Sequence, residues 1–131
     1  MKQAQVVLER LPQSLPVQTF VAIALVDAGQ YGDALSIYRK QMEFIPYSAI
    51  LHYNLGIALT RQGQRDDGIE RFRTALELDP EYANAYQQLS EALVKKGKLS
   101  EAIDLMRQAV KAMPEQLLRQ ETNDSASNPR P

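Results

Sequence analysis

The pattern of apolar and polar positions repeats along this chain with a period of 34 residues. The positions that share this spacing are Leu25, Leu59 and Leu93; Ala24, Ala58 and Ala92; Pro12, Pro46, Pro80 and Pro114; and the glycines that open GQYGDA, GQRDDG and GKLSEA at 29, 63 and 97. Self-similarity at a fixed period of this length indicates a repeat protein, in which each unit packs only against its neighbours.

Each unit predicts two helices joined by a short turn. In the second unit, the positions that follow the 3.6-residue helical period are Leu55, Ala58, Leu59 and Gln62 before the turn, and Ile69, Phe72 and Leu76 after it. We expect Gly63, like Gly29 and Gly97, to end the first helix, because glycine enters the left-handed region without steric penalty. Pro80 is expected to stop the second helix, since the residue before a proline avoids the α region.

The turn GQRDDG carries two adjacent carboxylates between glycines, which are ingredients of a calcium loop. The corresponding turns carry Gly32–Asp33 and Ser100–Glu101, which a metal site would not explain. We therefore predict that Asp66, Gly32 and Ser100 are N-caps of the second helices. Asp67 and Glu101 would then lie at the positive ends of the helix dipoles. No metal or cofactor is predicted.

Composition excludes several function classes. The 131 residues suffice for one domain, and 44% of them are hydrophobic. A formal net charge of −1 provides no field to recruit nucleic acid, so no nucleic-acid partner is predicted. The chain has no cysteine and a single histidine, His52, which we interpret as a packing residue. No apolar run approaches the ~20 residues of a membrane span, so no membrane insertion is predicted. Separately, the cytoplasm is the predicted compartment.

The stretch YNLGIALTRQGQRDDGIERFRTALELDP, residues 53–80, resembles a tetratricopeptide repeat. The resemblance extends over 15–48, 49–82 and 83–116. Its motif residues are Leu55, Gly56, Leu59, Gly68, Phe72, Ala75 and Pro80 in the second repeat, Tyr86, Leu89, Leu93, Ala102, Met106, Ala109 and Pro114 in the third, and Val21, Ala22, Leu25, Ala34, Tyr38 and Pro46 in the first. The first repeat departs most, since Gln41 stands where the others have alanine. The resemblance implies an all-α, right-handed superhelix of antiparallel helix pairs.

The two ends of the chain lie outside these three repeats. Residues 1–14 are interpreted as the closing helix of a preceding repeat or as an N-terminal cap helix. Residues 15–116 form the predicted three-repeat domain, residues 117–121 a short helical cap, and residues 122–131 a disordered tail. Apolar residues at 6–11 predict self-association through the N-terminal helix, because exposed apolar edges tend to find a partner.

A stripe on the first helices is the predicted binding site. Ile57 points about 200° away from the core position Leu55, where a solvated helix should be polar. With the residues four positions before and after it in each repeat, the stripe comprises Thr19, Ile23, Asp27, Tyr53, Ile57, Arg61, Gln87, Glu91 and Lys95. In the tetratricopeptide family this face lines the concave groove that takes ligands. We expect Tyr53 and Ile57 to be substantially exposed there; the alternative is that Ile23 and Ile57 pack against each other.

The resemblance implies a noncatalytic module that binds a protein or peptide ligand as an adaptor, scaffold or assembly factor. The alternative is a structural self-association module or a fragment of a longer repeat array. Family members that clamp the carboxylates of Hsp70 and Hsp90 use Lys, Asn and Arg side chains. The positions that match this clamp are Thr19, Ile23, Asn54, Asn84 and Gln88. Only Asn54 fits, so that cochaperone role is not predicted.

Overall fold

The computed structural model describes residues 14–113 and forms helices joined by short turns. The helices are Leu15–Asp27 (α1), Tyr31–Phe44 (α2), Ala49–Arg61 (α3), Arg65–Leu78 (α4), Ala83–Lys95 (α5) and Leu99–Ala112 (α6). No strand occurs in this range, which confirms the all-α repeat fold. Each odd-numbered helix is the first of a pair, and α2, α4 and α6 are the second helices. The predicted N-terminal helix, helical cap and tail lie outside the described residues.

The three turn glycines end the first helices, as predicted. Gly29, Gly63 and Gly97 have φ angles of 80°, 98° and 79°, and no other described residue has a positive φ. The residue after each glycine donates its backbone N–H back into the helix, from Gln64 to the Leu59 carbonyl for example, over 2.8 Å. This bond closes a Schellman motif, in which the left-handed residue lets the chain satisfy otherwise unpaired carbonyls.

The predicted N-caps of the second helices are wrong by two residues. The helices begin at Tyr31, Arg65 and Leu99, so Gly32, Asp66 and Ser100 occupy the second helical position. The capping residues are Gln30, Gln64 and Lys98, and none of them makes a side-chain cap bond. The glycine turn returns the chain to helical geometry within one residue, which leaves no room for a longer cap. Asp33, Asp66, Asp67 and Glu101 do lie in first turns, where negative charge is favourable.

The apolar interior runs continuously through the helix pairs. One group of buried residues includes Val26, Tyr38 and Leu59 and belongs to the first two pairs. A second group includes Phe72 and Leu89 and belongs to the last two pairs. Ile57 packs against both groups and joins them. The interior therefore belongs to the array as a whole, as expected when each repeat buries its apolar face only against its neighbours.

The polar residue in the first repeat is accommodated by hydrogen bonds. Gln41 is 2% exposed, although Ala75 and Ala109 hold this position in the other repeats. Its amide nitrogen donates to the hydroxyl of Thr19 over 3.2 Å and to the side-chain oxygen of Gln18 over 3.3 Å. A buried amide is tolerated when it is hydrogen-bonded, so these contacts explain how Gln41 replaces an alanine.

The second helix pair is packed closely through two facing glycines. A Cβ atom added at Gly56 would lie 2.6 Å from Cε1 of Phe72. A Cβ atom added at Gly68 would collide with Oγ1 of Thr60 and lie 3.0 Å from the carbonyl oxygen of Gly56. The backbones of the two helices are therefore in contact at this crossing. Position 68 has no room for a side chain, which explains why it is a glycine despite the poor helix propensity of that residue.

We predict that Gly68→Ala destabilises the protein. Helix propensity alone favours the alanine by roughly 1 kcal/mol. Overpacking at a close helix crossing opposes it by about 1–3 kcal/mol. Urea unfolding should therefore show a lower free energy of unfolding for Gly68→Ala than for the native chain.

The matched variant is Thr60→Ala combined with Gly68→Ala, which removes the colliding hydroxyl. This hydroxyl is buried and has no hydrogen-bond partner among the described residues. The penalty of Gly68→Ala should be smaller in the Thr60→Ala background. A Gly68→Ala protein that is more stable than the native chain would contradict the packing argument.

Candidate functional site

A pocket of about 230 Å³ opens on the face formed by the first helices. We call it the first-helix pocket. Its lining residues are Ile23, Val26 and Asp27 of α1, Tyr38 of α2, Tyr53, Asn54, Ile57 and Arg61 of α3, and Gln88 of α5. The pocket thus spans all three helix pairs. Its walls combine aliphatic side chains with two amides, two tyrosines and one ion pair.

The predicted stripe overlaps this pocket in part. Five of its residues line the pocket: Ile23, Asp27, Tyr53, Ile57 and Arg61. Thr19 is half-buried instead and accepts a hydrogen bond from Gln41. Gln87, Glu91 and Lys95 are exposed on α5 outside the pocket lining. In the third repeat it is Gln88, the next residue along the helix, that lines the pocket.

Tyr53 and Ile57 are half-buried, so the expectation of substantial exposure is wrong. The Tyr53 ring lies 5.8 Å from the Phe72 ring and 5.0 Å from the Tyr82 ring, measured between centroids. Ile57 packs between the two halves of the interior. The sequence argument placed each residue by its angle on a single helix and omitted the neighbouring helices and turns, which cover this face. Both side chains therefore support the fold as well as lining the pocket.

Arg61 and Asp27 join the first two repeats across the pocket. An Nη atom of Arg61 donates to Oδ1 of Asp27 over 3.0 Å. The two side chains are 50% and 66% exposed, so solvent screens the pair and its contribution to stability is at most about 1 kcal/mol. These residues are 34 positions apart, as expected for equivalent positions in successive repeats. The pair lies at the rim of the pocket.

The tyrosines around the pocket stay protonated well above neutral pH. Burial, reinforced by the Asp27 carboxylate, raises the pKa of Tyr38 to about 12. Burial, together with Tyr53 and Asp79, raises the pKa of Tyr82 to about 12. Burial also raises the pKa of Tyr53; the Arg61 guanidinium opposes this shift, and the Glu91 carboxylate adds to it. These hydroxyls therefore act as neutral hydrogen-bonding groups.

The predicted stripe omitted four lining residues: Val26, Tyr38, Asn54 and Gln88. The sequence analysis named Asn54 and Gln88 only as positions that match the Hsp70/Hsp90 clamp. Asn54 and Gln88 occupy equivalent repeat positions, one residue after Tyr53 and Gln87, and both carry amides. A recurring amide beside the predicted stripe was the signal that could have found them. Tyr38 belongs to a second helix, and only tertiary packing brings it to a pocket of first-helix residues.

His52 has a structural hydrogen-bonding role. It is 5% exposed, and its Nδ1 lies 3.3 Å from an Nη atom of Arg71. Because arginine can only donate, Nδ1 is the acceptor and Nε2 carries the proton. Nε2 then donates to the Pro46 carbonyl over 2.9 Å. At the equivalent position of the next repeat, the Tyr86 hydroxyl donates to the Pro80 carbonyl over 2.7 Å.

The turn GQRDDG is a helix–helix connection in the structure. Lys96 donates to the Asp66 carboxylate, and this hydrogen bond and the lysine charge lower the pKa of Asp66. Within residues 14–113, no cluster of three or more histidine, cysteine, aspartate or glutamate side chains could hold a metal ion. None of the described helices is long and apolar enough to cross a membrane.

The antiparallel helix pairs, the glycine turns and the groove on the first helices define a helical repeat protein. The tetratricopeptide repeat model matches residues 47–115, more than half of the chain, and the chain therefore belongs to the tetratricopeptide repeat family. This family is in general a noncatalytic protein-interaction fold. No curated protein matches the chain.

Several solved structures share the fold. A MamA fragment from Desulfovibrio magneticus RS-1 is 26% identical, with a TM-score of 0.72 over 83% of this chain and 62% of that one. A point mutant of MamA is 24% identical, with a TM-score of 0.65 over 79% and 75%. The second repeat domain of Spaghetti (RPAP3), bound to an HSP90 peptide, is 19% identical, with a TM-score of 0.67 over 86% and 99%. The chain thus spans about three fifths of the first of these structures, which is itself a fragment of MamA.

We predict that His52→Phe destabilises the protein and that His52→Tyr does so less. Tyrosine makes the corresponding bond to a proline carbonyl in the third repeat, whereas phenylalanine leaves the carbonyl without its donor. The free energies of unfolding of the two variants, measured with urea, should differ by about 1 kcal/mol. Equal stability of the two variants would argue against a structural hydrogen bond at this position.

We also predict that stability falls at alkaline pH. An unfolded tyrosine ionises near pH ~10, whereas Tyr38 and Tyr82 hold their protons to about 12. Above pH ~10 the unfolded state therefore releases protons that the folded state retains, so stability is complete below that pH and declines as the pH approaches 12. Urea unfolding at neutral and at alkaline pH measures the loss. Tyr82→Phe should reduce it, and an unchanged loss would contradict the assignment.

Proposed function

We propose that this chain is a noncatalytic binding module that holds an extended segment of a partner protein in the first-helix pocket. The observation that supports this best is the arrangement of Ile23, Val26 and Ile57 as apolar walls beside the amides of Asn54 and Gln88. Apolar walls accept a side chain, and amides offer both donors and acceptors to a peptide backbone. The pocket provides both on one rigid face.

The spacing of the polar groups favours an extended ligand. Asn54 and Gln88 occupy the same position in successive repeats, on α3 and α5, so the pocket presents similar hydrogen-bonding groups at two places along the array. An extended segment has unpaired backbone amides and carbonyls at regular intervals, whereas a helix has already used its own. We therefore propose that a partner segment lies across the first helices with one apolar side chain between Ile23 and Ile57.

The repeat domain of RPAP3 supports a peptide ligand in general, since it has the same fold and holds an HSP90 peptide. The positions that would clamp such a carboxylate are not cationic here. Thr19 is bound to Gln41, and Ile23 is apolar. Arg61 is the cation in the pocket lining, and Asp27 already neutralises it. We therefore propose a partner segment that is recognised by an apolar side chain rather than by a terminal carboxylate.

We infer that the module acts by binding and not by catalysis. His52, the first candidate for a general base, is engaged with Pro46 and Arg71. Asp66 is paired with Lys96 at a helix start, away from the pocket. These two side chains are thus used in holding helices together. The absence of a nucleic-acid partner and the cytoplasmic compartment stay predictions.

We predict that Ile23→Ser weakens partner binding without changing stability. Ile23 is 41% exposed on the pocket wall, so its replacement removes contact area for a ligand more than it disturbs the interior. A hot-spot contact of this kind should lower affinity by about tenfold or more, or about 1.4 kcal/mol. A partner identified by pull-down and mass spectrometry provides the peptide, and calorimetric titration measures its affinity.

The matched control is Ile50→Ser. Ile50 is a 60% exposed isoleucine on α3 outside the pocket lining, so this variant should bind like the native chain. Thermal melting of both variants checks that the fold is intact. Native affinity in a folded Ile23→Ser protein would place the ligand on another surface and refute the proposed site.

A further inference from the structure

The hydroxyl of Tyr38 is a polar group that the fold itself does not use. The Tyr38 side chain is 1% exposed, and its hydroxyl makes no hydrogen bond to any of residues 14–113. The fully enclosed hydroxyl without a partner in this range is that of Thr60, so the Tyr38 hydroxyl is open to the first-helix pocket that Tyr38 lines. A hydroxyl that is largely removed from water gives up hydrogen bonds that the fold does not replace here.

Packing at this position requires an aromatic ring but no hydroxyl. Phe72 lies 34 residues after Tyr38, at the equivalent position of the second repeat. It is 0% exposed and packs in the interior without a polar group. The hydroxyl of Tyr38 is therefore an addition that belongs to the first repeat, at a position where a plain ring already serves the core.

The first repeat lacks the amide that the other two repeats contribute to the pocket. Phe20 stands at the position of Asn54 and Gln88, and it is 74% exposed and outside the pocket lining. The side chains of Asn54 and Gln88 also make no hydrogen bond within the described part of the chain. With Tyr38 in place of the missing amide, each repeat contributes one neutral, unpaired polar side chain to the pocket.

The charges around Tyr38 favour a neutral hydrogen-bond acceptor. Burial and the Asp27 carboxylate raise the pKa of Tyr38 to about 12, so the hydroxyl keeps its proton and can donate it in a hydrogen bond. A carboxylate acceptor would be repelled by Asp27, whose partner Arg61 already neutralises it over 3.0 Å. A backbone carbonyl is a neutral acceptor that every extended segment offers.

In an inference that rests on the proposed function, we propose that the Tyr38 hydroxyl donates a hydrogen bond to a backbone carbonyl of the extended partner segment. Asn54 and Gln88 bind the same segment in the second and third repeats. Apolar walls alone let a segment slide, whereas a hydrogen bond requires one geometry. Tyr38 thus fixes the register of the segment, and with it the side chain that lies between Ile23 and Ile57.

Removal of this one oxygen tests the contact. The probes are blocked pentapeptides of alanine with a central leucine, valine, methionine or phenylalanine, titrated against the protein by NMR. Tyr38→Phe should weaken the tightest of them by about fivefold or more, because a carbonyl of the peptide loses its donor. In urea, Tyr38→Phe should unfold at the same or a higher denaturant concentration than the native chain, since the fold does not use the hydroxyl.

Tyr86→Phe is the matched control. Tyr86 is 3% exposed, lies outside the lining of the first-helix pocket, and donates to the Pro80 carbonyl over 2.7 Å. Its replacement should therefore lower the denaturant concentration of unfolding and leave the peptide affinity as in the native chain. The two variants remove the same atom from two buried tyrosines and should give opposite results.

Replacement of the peptide bonds of the probe identifies the carbonyl. In a series of peptides, each peptide bond in turn is exchanged for a carbon–carbon double bond, which keeps the shape and removes the acceptor. One of these peptides should bind the native chain more weakly and lose little further affinity in Tyr38→Phe. Such non-additivity is expected of two groups in direct contact.

Several results would overturn the inference. They are native peptide affinity in a folded Tyr38→Phe protein, a Tyr38→Phe protein that unfolds more readily than the native chain, and strict additivity for every exchanged peptide bond. Ile23→Ser separates this inference from the proposed function. Weaker binding by Ile23→Ser with native affinity in Tyr38→Phe refutes the Tyr38 contact alone. Native affinity in both variants, or no binding of any of the peptides at millimolar concentration, refutes both.

Discussion

The burial of each helix pair against the next is the constraint on which this structure depends. A single pair presents an apolar face that it cannot cover itself. Because the sequence repeats every 34 residues, the same packing surface recurs in each repeat and is covered by the next one. Phe72 shows the result, since it is fully buried between its own repeat and the following one. The side chains that line the first-helix pocket follow from the same recurrence.

The register between repeats is fixed by polar contacts as well as by apolar packing. His52 and Tyr86 each donate to the carbonyl of the proline that ends the preceding repeat. Hydrophobic contact is not directional, whereas a buried hydrogen bond requires one geometry. Different residue types at equivalent positions thus perform one task, which explains why a lone histidine is found in the interior of a helical repeat protein.

The surface that we propose for partner binding is a product of the repeat array. The first-helix pocket exists because three helix pairs bring one face of each first helix to the same side, where half-buried side chains serve both fold and site. Tyr53 belongs to both, through its contacts with Phe72 and Tyr82.

The sequence by itself determined the helix pairs, their turns at Gly29, Gly63 and Gly97, and the family. These features depend on local backbone preferences and on periodicity. Both can be read from a single stretch of the sequence, without knowing which residues lie next to it in space. The position of the second-helix caps, the burial of Tyr53 and Ile57, and the entry of Tyr38 into the pocket were decided by tertiary structure alone. Each depends on how one repeat is set against the next, and a helical wheel describes only one helix at a time.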